Sequence, residues 1–479
     1  MKKVTLNYIF VLLYQMTIMI TPIFTMPYVL RVLLPNNIGI EAYISSIGQI
    51  FIAFTSLGIG DYGRKVIASV TEPKQLGETF FNLYMVQFGF SSAVLLTYLF
   101  YAIHASAYQT FLLINSLTIL SYVLDITWFY TGQENIKNIM IRNMLVRIFS
   151  VLSIFIFVKD QNDLALYMFI NAGTLLIGQL VTWLPMGKFI SKFKFHPCEA
   201  KKHLLPVLTF AVVPIITLVP VSLNKVLLGS FVSKLDVGYY NQAFKLITLF
   251  VVFVTALTTV MSPRMVKQYY REKKEDFLLS TYFSFRFTAF TTLPLATGLM
   301  VVAPTFIPLF LGEAFTASVL NLQILAPSLF FSGLSGILGI QILVTLGKNR
   351  AYSLSILAAA LFSLMANVML MFTYGSMGTS FAYLLFTILA CLFQAFFARR
   401  FFSPKKAFCQ IVPYVIASAL ACAGEIIIST IFLGKNPFLI ILLEVIVGAT
   451  AYFSYLFLVK DVMLFKGFSL IQKVLKVGN

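Results

Sequence analysis

YIFVLLYQMTIMITPIFTMPYVLRVLL, residues 8–34, carries a single charged residue, Arg31. Apolar residues fill the stretch without alternating, so it does not read as a half-buried strand. It is longer than the roughly 20 residues needed to cross a bilayer as a helix. Inside hydrocarbon, a helix is the way for one segment to satisfy its own backbone polar groups. Lys2 and Lys3 ahead of it imitate a signal peptide, but no small-x-small cleavage site follows. The reading is a retained first transmembrane helix.

Similar runs continue along the chain. The first half gives 8–30, 42–60, 81–103, 109–130, 141–158 and 164–186. The second gives 205–223, 240–261, 282–304, 318–346, 351–373, 377–397, 410–432 and 437–458. The run at 318–346 is overlong and is expected to start with an extramembrane turn. The pattern predicts an all-α polytopic membrane protein with about 14 transmembrane helices. The composition agrees: of 479 residues, 59% are hydrophobic and 11% charged, with a mean hydropathy of +0.90. A soluble domain has about 25% charged residues, so a soluble enzyme, a disordered chain and a repeat solenoid are excluded. A membrane β-barrel would alternate polar and apolar positions, and these runs do not.

The formal charge of +18 reads as positive-inside bias rather than nucleic-acid binding. With both termini cytoplasmic, the outer segments hold only Arg31, Lys159, Lys225, Lys234, Lys245 and Lys435. Most of the other bases fall in cytoplasmic loops or in the tail from Lys460, which reads as a basic amphipathic helix. Cys198, Cys391, Cys409 and Cys422 show no pairing or metal spacing.

An internal echo organises the chain. The first run ends VLRVLL (29–34), with Gly39 beyond it; the seventh ends SLNKVLL (222–228), with Gly238 beyond it. The offset of about 194–200 residues predicts two six-helix lobes related by a parallel repeat, with the transport site at their interface. The expected domains are 1–203, 204–400, and 401–479 for two extra helices and the tail.

Pro22 and Pro27 interrupt the first run, and Pro214 and Pro220 the seventh. Proline kinks a helix, and matching kinks in two halves point to a substrate cavity; ordinary packing kinks are the alternative. Arg31, Lys225, Lys245 and Arg286 lie at or near the ends of their spans. Turned inward they would form a cationic wall suited to phosphate or pyrophosphate; otherwise they snorkel to the interface. Asp125 and Arg147 fall at similar depth in neighbouring spans and read as a structural ion pair, or as a relay. Glu425 and Glu444 face each other or the headgroups, with no function drawn from them. Tyr14, Tyr28, Trp128, Tyr239 and Tyr240 suit belts, packing or sugar stacking. His104, His196 and His203 fall in expected loops without metal spacing. No catalytic set and no metal site is read. No nucleotide-binding loop is present, so no ATP or other cofactor is expected, and a coupling ion or the membrane potential is left open. Gly333, Gly336 and Gly339 read as a close-packing stripe.

MPYVLRVLLPNNIGIEAY (26–43), LGIGDYGRKVIA (57–68), DITWFYTGQEN (125–135), VGYYNQAFKL (237–246), SPRM (262–265) and ILGIQILVTLGK (337–348) together resemble the Wzx-type polysaccharide flippases. The resemblance runs in order over most of the chain. It implies the fold of the multidrug/oligosaccharidyl-lipid/polysaccharide flippase superfamily and a bacterial cytoplasmic-membrane location. It implies a substrate too: an undecaprenyl-pyrophosphate-linked oligosaccharide repeat unit, moved across the membrane for capsule, O-antigen or exopolysaccharide synthesis. Membrane lipids and other polysaccharide assembly proteins are the implied partners, and nucleic acid is not. Asn224 stands where relatives usually carry an acid, and Thr387 where they often carry Glu, so no proton-antiport claim is carried over.

The sequence therefore predicts a non-enzymatic, alternating-access flippase, with Tyr28, Arg31, Asn224, Lys225, Lys245 and Arg286 as substrate-contacting residues. The alternatives are a multidrug or metabolite exporter of the same fold, a lipid II flippase, and a polytopic polysaccharide polymerase. The short outer gaps argue against the polymerase.

Overall fold

The computed structural model describes residues 2–55, 58–70, 72–188, 197–271, 273–432 and 434–465. Among them there is no strand, and every apolar run of the sequence is largely helical. Ten helices are long and apolar enough to cross a membrane, or eleven when a bent pair is counted as one span. The chain is a multi-pass membrane protein. Its surface fits that solvent: Phe100 is 67% exposed and Met369 76%. In water such side chains would form an aggregation-prone patch; against acyl chains they cost nothing. Contacts divide the chain into two units, Met1–Gly238 and Tyr239–Asn479.

The first unit holds α1 (Lys2–Thr55), α2 (Ile59–Ser69), α3 (Pro73–His104), α4 (Gln109–Val123), α5 (Thr127–Gly132), α6 (Ile136–Phe157), α7 (Leu164–Trp183) and α8 (Pro197–Phe231). Helix α1 packs along α6 and α8, and α4 against α7. The first two apolar runs meet inside α1, broken at Leu34, where φ is 64° and ψ is 162°. Pro35 follows, and proline drives the preceding residue out of the α region. The helix kinks there with no intervening loop. A core of Ile67, Phe80, Leu83, Trp128, Phe129 and Val207 joins α2, α3, α5 and α8.

The second unit contains α9 (Lys234–Arg271) from Tyr239 onward, then α10 (Lys274–Leu311), α11 (Ser318–Leu325) and α12 (Ser328–Ser335). A π-helical stretch (Gly336–Val344) leads to α13 (Asn349–Ala398), α14 (Pro404–Ile431) and α15 (Pro437–Leu458). Helix α13 joins two apolar runs across Gly375, at φ 55° and ψ −130°, a conformation open essentially to glycine alone. The overlong run becomes the segment Ser318–Val344, and its most apolar window is 56% buried, more than in any other candidate span. It is an interior element, preceded by a short turn at Glu313–Phe315. Gly336 sits against Thr258, and Gly339 against Tyr352 and Gln394. Helices α14 and α15 form a hairpin packed on α10.

One expectation changes here. His104 and His203 lie in helices, α3 and α8, rather than in loops. The basic tail falls mostly beyond residue 465, outside the described residues, as does His196.

Candidate functional site

The break in α1 and the seventh apolar run converge within the first unit. Glu199–Val212 and Ile215–Phe231 are bent by 52° relative to each other, with Pro214 in the break. Proline supplies no backbone N–H for a helix. Pro22 and Pro27 lie in α1 without ending it, and Pro220 lies in the second segment of α8.

The two chain segments after these helices cross at glycines. A Cβ built on Gly39 would fall 1.7 Å from the Lys234 carbonyl oxygen, and one built on Gly238 would fall 2.3 Å from that of Pro35. The contact is reciprocal: 39 meets 234 and 238 meets 35, with 39 and 238, like 35 and 234, standing 199 residues apart. A two-fold repeat produces this kind of self-complementary contact. Both glycines belong to the echo read in the sequence.

Arg31 lies just before the break in α1 and is exposed; Asn224 is buried and Lys225 half-buried on α8. All three have interaction partners. Helices α1 and α8 are neighbours, so the bases that the echo paired are carried by packed helices. Tyr28 differs from its expected role. Its hydroxyl donates to the Val158 carbonyl at 2.6 Å, and its ring packs on Phe155, which ties α1 to the end of α6. In the second unit, Lys245 is exposed. Arg286 donates through Nε to Gln410 Oε1 on α14. A guanidinium retains other N–H groups for an anion, so this bond orients Arg286 without consuming it.

Asp125 and Arg147 do not pair. Asp125 occupies a break between α4 and α5, and its Oδ1 accepts the Thr127 backbone N–H at 2.8 Å. It closes an Asx-turn just ahead of the short helix α5. Arg147 lies on an exposed face of α6. The depth estimate assumed one unbroken fourth span, and the break moves the carboxylate off that helix. The base that acts on Asp125 electrostatically is Arg142, which donates to the Gly178 carbonyl.

The DITWFY segment earns its composition at this break. Gln87 Nε2 donates to the carbonyls of Tyr122 (3.2 Å) and Asp125 (2.9 Å). The Trp128 indole donates to Gln87 Oε1 at 2.9 Å. The Trp183 indole donates to the Leu124 carbonyl at 2.9 Å, and Tyr130 donates to Thr182 at 2.7 Å. Carbonyls freed by the break are thus bonded by side chains, as burial requires. Phe80 stacks on Trp128 and meets Phe129 and Trp183 edge-on. Trp128 is therefore a packing residue, as is Tyr240, which is buried and stacked on Phe244. Gln87 is the residue that sequence reasoning missed; only an amide within an apolar run hinted at it.

A sequence profile of the family described as "Polysaccharide biosynthesis protein" matches residues 4–268. A putative O-antigen transporter of Escherichia coli K12 is 22% identical over 377 residues, 75% of this chain and 88% of the relative. One from Shigella dysenteriae is 22% identical over 382 residues, 78% and 94% of the two chains. Among solved structures, the lipid II flippase MurJ in an inward closed conformation superposes with a TM-score of 0.74 at 15% identity, covering 96% of this chain and 100% of that one. An inward-facing multidrug resistance transporter of the MATE family gives 0.61 at 14% identity, over 81% and 95%. The fold is shared with both.

Proposed function

The chain belongs to the polysaccharide biosynthesis protein family, and from that premise we propose that it is a flippase for a lipid-linked oligosaccharide. The observation that carries the reading is the profile match through the first seven apolar runs and beyond. Full-length relatives described as putative O-antigen transporters support it. The substrate is an undecaprenyl-pyrophosphate-linked repeat unit, moved between leaflets of the cytoplasmic membrane, with both termini cytoplasmic. Six-helix lobes at 1–203 and 204–400 alternate access, and 401–479 is appended. The work is conformational rather than covalent and uses no cofactor; an ion gradient or the membrane potential drives it.

The physical requirement is neutralisation of a diphosphate. An unpaired anion cannot cross roughly 30 Å of hydrocarbon at a useful rate. Arg31 and Lys225 meet the diphosphate from α1 and α8, and Arg286, held by Gln410, serves in its capture from the inner leaflet. Guanidinium groups suit it because they bind phosphate oxygens bidentately. The sugars travel in water, and the polyprenyl chain stays in lipid.

The test is deletion of the gene followed by complementation. Lipid-linked repeat units should accumulate on the cytoplasmic leaflet, surface polysaccharide should disappear, and the chain should restore it. Unchanged surface polysaccharide would overturn the reading. Arrest of cell-wall synthesis instead would point to a lipid II flippase.

A further inference from the structure

The α14–α15 hairpin carries two acids that diphosphate transport does not use. Glu425 lies six residues before the end of α14, and Glu444 seven residues after the start of α15. At 1.5 Å per residue, each is about 10 Å from the connecting turn. Antiparallel packing brings them to one level. Glu425 reaches across to α15 one turn beyond Glu444: a Cβ built on Gly448 would lie 1.9 Å from its Oε1. Only glycine leaves that carboxyl its place.

Both side chains are buried, 6% exposed for Glu425 and 0% for Glu444. Neither oxygen of Glu444, nor Oε2 of Glu425, has a hydrogen-bond partner among the described residues. Neither acid forms an ion pair among them. Burying a carboxylate without a counter-charge is costly, so a cation entering beside the pair would be held by it.

Glu425 opens onto a cavity of about 410 Å³. Its walls are apolar, and Phe290, Phe306, Tyr452 and Phe453 supply aromatic surface. The Tyr452 hydroxyl is taken by the Phe290 carbonyl at 2.9 Å. Gly298 leaves the carboxyl open on the α10 side, where a Cβ would stand 3.7 Å from Oε1. The volume suits a drug-sized molecule. A hydrated metal ion would want many more oxygen ligands than these walls offer. Aromatic faces attract cations through their quadrupole, and a buried carboxylate repels anions.

We propose that this cavity binds a lipophilic monovalent organic cation, with Glu425 as its counter-ion and Glu444 as a second negative group behind it. The site has the opposite polarity to the diphosphate site, and it stands whether or not that reading holds.

The experiment uses the purified full chain in nonionic detergent, titrated by equilibrium dialysis with tetraphenylphosphonium and separately with tetraphenylborate. These ions match in size and differ in sign. The phosphonium should bind saturably at one site and the borate should not. Glu425→Gln preserves shape and should weaken phosphonium binding about thirtyfold or more, as loss of a buried charge partner does. Ala449→Phe fills the cavity, keeps both carboxyls, and should also abolish binding. Monodisperse elution of each variant establishes that it is folded. Absence of saturable phosphonium binding to the parent would overturn the proposal. Equal binding of the borate, or parental affinity in folded Glu425→Gln, would overturn it too.

Discussion

Gly39→Ala places a methyl group where the Lys234 carbonyl now lies. The built Cβ is 1.7 Å from that oxygen, and ordinary contact begins at 3.4 Å, so the crossing must open by about 1.7 Å. The obstacle is backbone on a helix start, not the end of a flexible side chain. Overpacking a well-packed contact costs about 1–3 kcal/mol or more. Gly238→Ala meets the Pro35 carbonyl at 2.3 Å and is expected to cost somewhat less. Because both substitutions open one crossing, the double variant should lose less than the sum of the singles. Gly89→Ala and Gly173→Ala are controls: both glycines are helical, with nothing within 4 Å of the added methyl. Alanine is favoured over glycine in a helix by up to about 1 kcal/mol, so these should hold or raise the melting temperature. The assay is thermal unfolding in detergent, followed by size-exclusion of the folded fraction. A Gly39→Ala protein that melts with the controls would refute the crossing, as would strict additivity in the double variant.

Asp125→Asn should preserve both folding and transport, because asparagine closes the same Asx-turn to Thr127; a lost transport signal would favour the relay. Gln87→Leu should lower stability by about 1–3 kcal/mol, since it removes the side-chain bonds to the Asp125 carbonyl and the Trp128 indole. Unchanged melting of that variant would show that the break is held by other means. Gly375→Val should impair folded yield, because a β-branched residue cannot adopt φ 55° and ψ −130° without strain; normal yield and melting would contradict that geometry.

Much of the architecture was legible because membrane helices are specified by length and apolarity, which one sequence displays directly. The runs at 8–30 and 42–60 were separable, yet nothing in them revealed that they would join in one helix kinked at Leu34 without a loop; Pro35 was the available signal. The echo around Gly39 and Gly238 was readable as repetition, but its physical cause, two backbones in contact, required coordinates. The Asp125–Arg147 pair failed because depth along the chain is not depth in a broken helix. Asp125 sits at that break and spends its carboxylate on Thr127. DITWFY carried a recognisable signature whose role is structural, in the bonds of Trp128 and Tyr130. Glu425 and Glu444 were visible as acids in apolar runs. That they occupy one level against Gly448 depends on the pairing of α14 with α15, which spacing alone does not give.

The central claim is that cations on α1 and α8 carry a diphosphate through the membrane. The most direct measurement is translocation of a fluorescent undecaprenyl-pyrophosphate oligosaccharide in vesicles containing the parent or the Arg31→Ala, Lys225→Ala double variant at equal inserted amounts. The account expects the parent to move the label between leaflets and the double variant to fall to the rate of empty vesicles. Parental translocation by a fully inserted double variant would contradict it.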